Sequence, residues 1–408
     1  MDTMVESGEK KIEWAASHMP VLSSVLSRMS EEKPFAGCSV SCCLHLEAKT
    51  AFMAYVLKEA GARVSISGSN PLTTQDDVAA ALASRGVEVN ARYGQSSDEY
   101  VENLNKTVDI APDIIIDDGG DLACLAHTQR QDVLSTVRGL CEETTTGVIR
   151  LKAMEADGTL KFPAIAVNDA CCKYLFDNRY GTGQSTLDGI MRTTNLIIAG
   201  KTVVVAGYGW CGRGIAMRAK GMGARVVVTE VDPIKAIEAH MDGFGVMTMD
   251  AAASLGDIFI TATGCRDVIT SRHFPLMKEG AILSNAGHFN VEVNVSQLTS
   301  MATDNKVSRN NIESYKVDGK WIHVLGEGRL VNLACGDGHP AEIMDMSFAL
   351  QVLSAEHLIR NDLLPKVYPV PWEIDSEVAK IKLASENLLI DELTDDQKKY
   401  LGSWGQGT

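Results

Sequence analysis

Apolar and polar positions along this chain recur with two periods, one close to 3.6 residues and one close to 2, and the two alternate. Residues 11–30 have the spacing of an amphipathic helix interrupted near Pro20, and Pro34-Phe35-Ala36-Gly37 predicts a turn. From there short β-branched runs alternate with helical periods, the pattern of parallel βαβ units. A helix is predicted over 48–60 and a strand at Arg63-Val64-Ser65-Ile66-Ser67-Gly68. Another strand, Asp113-Ile114-Ile115-Ile116, runs into the acidic, glycine-rich loop Asp117-Asp118-Gly119-Gly120. Ligands of open α/β sheets bind beyond the carboxyl ends of strands, which makes that loop a functional candidate. After Pro365 the periodicity weakens. Residues 373–400 predict helices rich in both charges, residues 402–408 a loose terminus, and no repeat of solenoid length is present.

A second α/β block opens near Gly200. Thr202-Val203-Val204-Val205-Ala206 predicts a buried strand, followed by Gly207-Tyr208-Gly209-Trp210-Cys211-Gly212, an Ala-rich helix to about Gly221, and the strand Arg225-Val226-Val227-Val228-Thr229 ending in Glu230. Strand, GxGxxG, helix, strand and acid stand in order. Glu230 lies 23 residues after Gly207, close to the spacing at which a carboxylate meets the ribose hydroxyls of NAD. Glycines there permit the tight turn and the approach of a pyrophosphate to a helix N-terminus. A glycine-rich turn in any doubly wound sheet is the bland alternative, and the full context favours dinucleotide binding.

Composition narrows the class. The 408 residues suffice for two or three domains, and 45% hydrophobic with 22% charged residues is ordinary for a globular protein. Lys and Arg total 38 against 53 Asp and Glu, a net charge of −15 that disfavours nucleic acid and anionic membranes as partners. No apolar run approaches the roughly 18 residues of a membrane helix, and MDTMVESGEK lacks the features of a signal peptide, so a cytoplasmic protein is expected. Ten cysteines are too dilute for a disulfide scaffold. Cys38, Cys42, Cys43, Cys171 and Cys172 stand without CxxC or zinc-finger spacing; they read as small buried residues, and no metal centre is expected.

Between the blocks lies a dense polar stretch: Glu142-Glu143-Thr144-Thr145-Thr146-Gly147, Asn168-Asp169, Lys173, Asp177-Asn178 and Tyr180-Gly181-Thr182-Gly183. Lys173 and Asp177 share a helix face, where a surface ion pair is the plain reading. Their neighbours Ala170-Cys171-Cys172 and Leu175-Phe176 look buried, and a desolvated lysine beside a carboxylate suits proton transfer.

The blocks IIDDGGD, EETTTG, FDNRYGTGQS, VVAGYGWCGRG, VTEVDP, NAGHFNVE, EGRLVNLACGDGHP and ELTDDQKKYLG together closely resemble the S-adenosyl-L-homocysteine hydrolase family, over essentially the whole chain, and in particular a short-tailed branch resembling S-inosyl-L-homocysteine hydrolase. The resemblance implies two Rossmann-like doubly wound α/β domains plus a short helical C-terminal extension. These are a substrate domain over 1–183 and again 342–372, an inserted NAD domain over 184–341, an oligomer-contacting extension over 373–408, and a homotetramer. It implies a reaction in which tightly held NAD+ oxidises the ribose 3′-hydroxyl. The 4′ proton is thereby acidified, homocysteine leaves from C5′, water adds and the alcohol is restored.

By matching motifs the resemblance assigns Lys173 and Asp177 to the 3′-hydroxyl, Glu143 to the sugar hydroxyls, Asp118 to the 4′ proton and His45 to the 5′ end. His288 and His339 become pocket residues, His339 as part of a mobile gate. Thr50, Asn168, Met344 and Phe348 complete the substrate pocket with Glu47 and Lys49. The implied NAD contacts are Thr144, Thr145, Thr146, Asn178, Gly207, Tyr208, Gly209, Trp210, Cys211, Gly212, Glu230, Lys235, Ala286, Gly287, His288 and Asn332.

Four departures from the familiar pattern bear on function. The chain stops before the segment that in the long-tailed branch reaches a neighbour's NAD site. Thr182 replaces a cysteine near the nicotinamide. Lys235 replaces an asparagine near the adenosine, leaving room for NADP, although Glu230 would repel a 2′-phosphate. Glu47 and Lys49 replace a Thr and a Glu that face the purine edge. Charged lysine only donates, so it suits the 6-oxo group of hypoxanthine rather than the amino group of adenine, and Glu47 suits the protonated N1. S-Inosyl-L-homocysteine is therefore the expected substrate. The alternatives are preference for S-adenosyl-L-homocysteine, with Lys49 paired to Glu47 and Asp337 facing the pocket, a dehydrogenase with net hydride transfer, or a nucleotide-sensing module.

Overall fold

A computed structural model describes residues 3–405. It contains fifteen strands: β1 (Ser39–Leu44), β2 (Arg63–Gly68), β3 (Glu88–Asn90), β4 (Ile114–Asp117), β5 (Gly139–Glu142), β6 (Ala164–Ala166), β7 (Thr202–Ala206), β8 (Arg225–Thr229), β9 (Gly245–Val246), β10 (Ile258–Thr261), β11 (Ala281–Asn285), β12 (Asp304–Arg309), β13 (Ile312–Val317), β14 (Lys320–Leu325) and β15 (Val367–Pro369). They form two sheets, β15-β6-β5-β4-β1-β2-β3 and β12-β13-β14-β11-β10-β7-β8-β9. The first is parallel throughout; the second is parallel except for the antiparallel β12-β13-β14 meander at one edge. Both share the doubly wound order 3-2-1-4-5-6, so each has a switch point, at β1/β4 and at β7/β10, where crossovers diverge and a crevice opens.

Strand alternation explains how each sheet is buried on both faces. Cys42, Ile114 and Ile116 pack on one face of the first sheet with the helices Thr3–Ser17, Pro20–Glu32, Ala48–Glu59 and Ala341–Arg360; Cys43, Ile115 and Leu140 enter a second cluster on the other. In the second sheet Val203 and Val205 face one cluster and Val204 and Ala206 the other. All ten cysteines are free. Cys42, Cys43 and Cys172 are buried as expected, whereas Cys38 and Cys171 are only half-buried.

The predicted helix over 11–30 is in fact two, Thr3–Ser17 and Pro20–Glu32, with Pro20 in the first turn of the second, where its missing N–H costs nothing. The C-terminal prediction resolves into Trp372–Ser385 and Asp395–Leu401 with an irregular connection. Residues 402–405 are exposed and irregular; 406–408 of the predicted loose terminus, and residues 1–2, lie outside the described residues. No described helix is long and apolar enough to cross a membrane.

Candidate active site

The two switch points open into one cavity of about 1050 Å³. Every residue assigned to the site from sequence lines it except Gly212. The loop after β1 and the first turn of the helix Ala48–Glu59 contribute His45, Glu47, Lys49 and Thr50; the loop after β4, Asp118; the loop after β5 and the start of the helix Thr145–Ala156, Glu143 to Thr146. The second sheet supplies Gly207 to Cys211 after β7, Glu230 after β8 and Ala286, Gly287 and His288 after β11.

Lys173 stands at the centre of one polar cluster. Its Nζ donates to Asn178 Oδ1 at 2.8 Å and lies 3.3 Å from Asp177 Oδ2 and 3.4 Å from Glu143 Oε1. The local backbone makes this possible. Residues Tyr174–Gly181 form a π-helix, whose wider turn brings residue i+5 over residue i, so Lys173 meets Asp177 and Asn178 together. Ser347 Oγ donates to Asp177 Oδ2 at 2.6 Å and His339 Nδ1 lies 2.7 Å from Oδ1. Gln351 Nε2 donates to Glu143 Oε2 at 2.5 Å. Burial alone would lower the Lys173 pKa, but Asp177 and then Glu143 outweigh it and hold the lysine above its ordinary range. The lysine is buried beside a carboxylate, as the sequence suggested, and its two acidic neighbours keep it charged. The two acids are driven apart. Burial would raise Asp177, yet Lys173 and His339 keep it well below the carboxylate range; burial raises Glu143 to about 7 against a weaker pull from Lys173.

A second cluster surrounds Asp118. His45 Nε2 lies 3.3 Å from Oδ2 and His288 Nδ1 3.5 Å from Oδ1, while Ser69 Oγ donates to Oδ2 at 3.3 Å. His45 Nδ1 meets Thr73 Oγ1 at 2.8 Å. Burial, opposed by Asp118, lowers His45 to about 4, so its ring is neutral near pH 7. The donor atoms of His45, Asp118 and His288 lie within 4.8 Å of one another, close enough to share a cation, a grouping that three residues so far apart in sequence did not signal.

On another part of the cavity wall, Glu47 caps the helix Ala48–Glu59, accepting from Lys49 N at 3.1 Å and Thr50 N at 3.3 Å. Lys49 Nζ lies 2.6 Å from Glu47 Oε2 and donates to the Asp337 carbonyl at 2.8 Å. The Asp337 carboxylate pairs instead with exposed Arg192 at 2.9 Å, so only its backbone serves the pocket.

The cofactor end fits a dinucleotide. Gly207 has φ +96° and a Cβ on it would crowd the Ala262 carbonyl at 2.7 Å; Gly209, at the N-cap of the helix Trp210–Gly221, has open space beside it. Glu230 accepts from Tyr208 N at 2.6 Å and Val231 N at 2.7 Å, which sets its carboxylate beside the turn. Lys235 is on the wall and loosely paired with Asp232 at 3.8 Å. Gly212 does not line the cavity, and its missing side chain lets the helix sit against the Gly207 carbonyl. Asn178 Nδ2 donates to Asn168 Oδ1, and Asn168 Nδ2 to Thr145 Oγ1, which links the Lys173 cluster to the threonine run. Thr182 Oγ1 sits 3.3 Å from His339 Nε2 and donates to Cys211 Sγ at 3.6 Å.

Sequence reading missed part of the wall. Thr263 to Asp267 and Arg272 line the cavity beyond β10, a strand-end loop that the switch-point rule points to, and Arg213 lines it from the glycine-turn helix. Asn332 Oδ1 is a buried wall oxygen with no hydrogen-bond partner among the described residues, as an acceptor meant for a ligand would be, while Asp118 Oδ1 and Glu143 Oε1 have only their long ion-pair contacts to His288 and Lys173.

Family profiles match two stretches: that of S-adenosyl-L-homocysteine hydrolase residues 3–136, and that of its NAD-binding domain residues 178–338. An S-inosyl-L-homocysteine hydrolase of Methanocaldococcus jannaschii is 60% identical over 99% of this chain and 98% of its own length. The chain belongs to the S-adenosyl-L-homocysteine hydrolase family. Another S-inosyl-L-homocysteine hydrolase, of Methanococcus maripaludis, is 56% identical over 100% of this chain and 98% of its own. An adenosylhomocysteinase of Thermococcus kodakarensis is 59% identical over 100% and 97%. Membership makes the protein a NAD-dependent hydrolase acting on the thioether bond of an S-nucleosyl-homocysteine.

Proposed function

We propose that the enzyme prefers S-inosyl-L-homocysteine, releasing inosine and homocysteine. The observation that carries this reading is the buried Lys49 on the cavity wall, whose ammonium has two partners, Glu47 and the Asp337 carbonyl. One N–H remains, and it is a donor that fits the 6-oxo group of hypoxanthine and opposes an amino group. An unpaired donor in a buried pocket costs about 1–3 kcal/mol, a preference on the order of tenfold to a hundredfold. The expected result is at least a tenfold higher kcat/KM for the inosyl than for the adenosyl compound, with the ratio collapsing in Lys49→Met; tenfold preference for the adenosyl compound overturns it. The adenosyl reading draws support from the Thermococcus relative and from the Lys49–Glu47 pair itself, which already occupies both side chains.

Bound NAD supplies reversible oxidation of the sugar hydroxyl. The residues that would hold it are Gly207, Gly209 and Glu230 at the glycine turn, with Thr144 to Thr146, Asn178 and Asn332 deeper in. Ionised Asp177 holds Lys173 in place, charged Lys173 orients the 3′-oxygen and stabilises negative charge on it, and Glu143, near neutrality, takes its proton. Asp118 takes the 4′ proton between its two histidines, and neutral His45 serves the 5′ end. This grouping of acid, base and lysine favours the hydrolase over a net dehydrogenase or a sensing module: free thiol should appear without accumulating NADH. The division into a substrate domain over 1–183 and 342–372, an NAD domain over 184–341 and an extension over 373–408 is part of this reading, and the pairing of β15 with β6 supports the return of the chain to the first sheet. A cytoplasmic homotetramer that binds neither nucleic acid nor membrane completes the reading, supported by the net charge and by exposed Leu389, Ile390 and Trp404 on the C-terminal extension.

A further inference from the structure

Glu142, the last residue of β5, is fully buried, does not line the cavity and has no part in the chemistry above. Its Oε1 nevertheless accepts three hydrogen bonds, from Gly119 N, Thr144 N and Thr144 Oγ1, each at 2.9 Å. Gly119 follows Asp118, and Thr144 follows Glu143. The geometry points to Glu142 as a positioning residue, a clamp that ties the loop carrying Asp118 to the loop carrying Glu143 and Thr144 to Thr146.

Three features make the tie necessary. Asp117 and Glu142 are register partners on adjacent parallel strands, and the backbone bond from Glu143 N to the Asp117 carbonyl at 2.9 Å closes the ladder, so Gly119 and Thr144 lie beyond it on loops that leave the sheet side by side. Gly119 and Gly120 have φ of +102° and +78°, a backbone with little intrinsic preference for one conformation, so the Asp118 carboxylate depends on an external anchor. Thr144 is the N-cap of the helix Thr145–Ala156, and its hydroxyl accepts from Gly147 N at 3.2 Å while donating to Glu142; the clamp and the helix start share one hydroxyl. Space around the carboxylate is tailored as well. A Cβ on Gly147 would run into the Glu142 carboxylate.

The role requires an acceptor, not a charge, since Oε2 has no hydrogen-bond partner. Glutamine keeps that acceptor. In the NAD-loaded enzyme incubated with inosine or adenosine in D2O, exchange of the nucleoside 4′ proton followed by NMR should fall at least tenfold in Glu142→Ala. Nucleoside KM should stay within about threefold, and Glu142→Gln should recover most of the rate, because a 1 Å misplacement of a reacting group costs on the order of 10²-fold. Gly147→Ala, a substitution that by helix propensity alone is neutral or stabilising, should reproduce the loss, and the double variant Gly147→Ala/Glu142→Ala should be no slower than Glu142→Ala. Unchanged exchange in Glu142→Ala or Gly147→Ala, or equal loss in Glu142→Gln and Glu142→Ala, overturns the clamp. The inference rests on the role given to Asp118, and Asp118→Asn keeps the two apart: persistent exchange there removes that role, whereas its loss together with an unaffected Glu142→Ala removes only the clamp.

Discussion

Glu143 and Asp177 flank the same ammonium, yet burial raises one to about 7 while Lys173 and His339 depress the other. If Glu143 receives the hydroxyl proton, nucleoside-driven reduction of bound NAD should rise with pH through about 7, and Glu143→Gln should lose that limb together with a factor on the order of 10²–10⁴ in rate. Stability carries the same signature. A carboxyl raised in the native state contributes stability that is full below its ordinary pKa near 4.5 and is lost as pH rises through about 7. Glu143→Gln should therefore gain on its parent between pH 5 and pH 8, by up to ~3 kcal/mol in urea unfolding of the NAD-loaded enzyme. His45 has the opposite sense: lowered to about 4, it costs nothing above pH 6.5 and destabilises the fold progressively as pH falls toward 4.

The glycine turn shows what an element does that a residue list misses. Gly212 stands in the sequence pattern with Gly207 and Gly209, but only those two border the cavity. Its place is where helix and turn meet, and a methyl group there strikes the Gly207 carbonyl. Gly212→Ala should cost cofactor retention, measured as NAD released on gel filtration, by displacing the turn, with little change in kcat for the fraction still loaded. The π-helix is the complementary case. The four-residue spacing of Lys173 and Asp177 was legible in the sequence, and they do meet; the widened turn that adds Asn178 was not, because no local residue pattern distinguishes it from an α-helix.

Long-range acids hold the molecule together. Asp345, on the helix Ala341–Arg360, caps Pro20–Glu32 by accepting from Val21 N at 3.0 Å and Leu22 N at 2.8 Å, and Asp375 does the same for Cys171 N at 2.7 Å and Cys172 N at 2.8 Å. The second cap braces the segment leading to Lys173, so the chain's C-terminal part supports the site from behind. Asp345→Ala should cost about 1–2 kcal/mol without touching substrate affinity, while Asp375→Ala should reduce activity as well, as thermal unfolding and steady-state kinetics on the same samples will report.

Sequence by itself determined the periodic elements, the two βαβ blocks and the glycine turn ending at Glu230, because strand alternation, turn chemistry and motif spacing are local properties of the chain, and the family resemblance added many residues of the cavity wall but not the stretch Thr263 to Asp267. Only the tertiary structure decided the states and partners of those residues. Lys173 stays charged because two acids converge on it from the loop after β5 and the π-helix, the Asp337 carboxylate turns outward to Arg192, and Glu142 finds Gly119 across a strand pair. Those outcomes depend on burial and on the sum of several opposed electrostatic effects, which exist only once distant segments have been brought together.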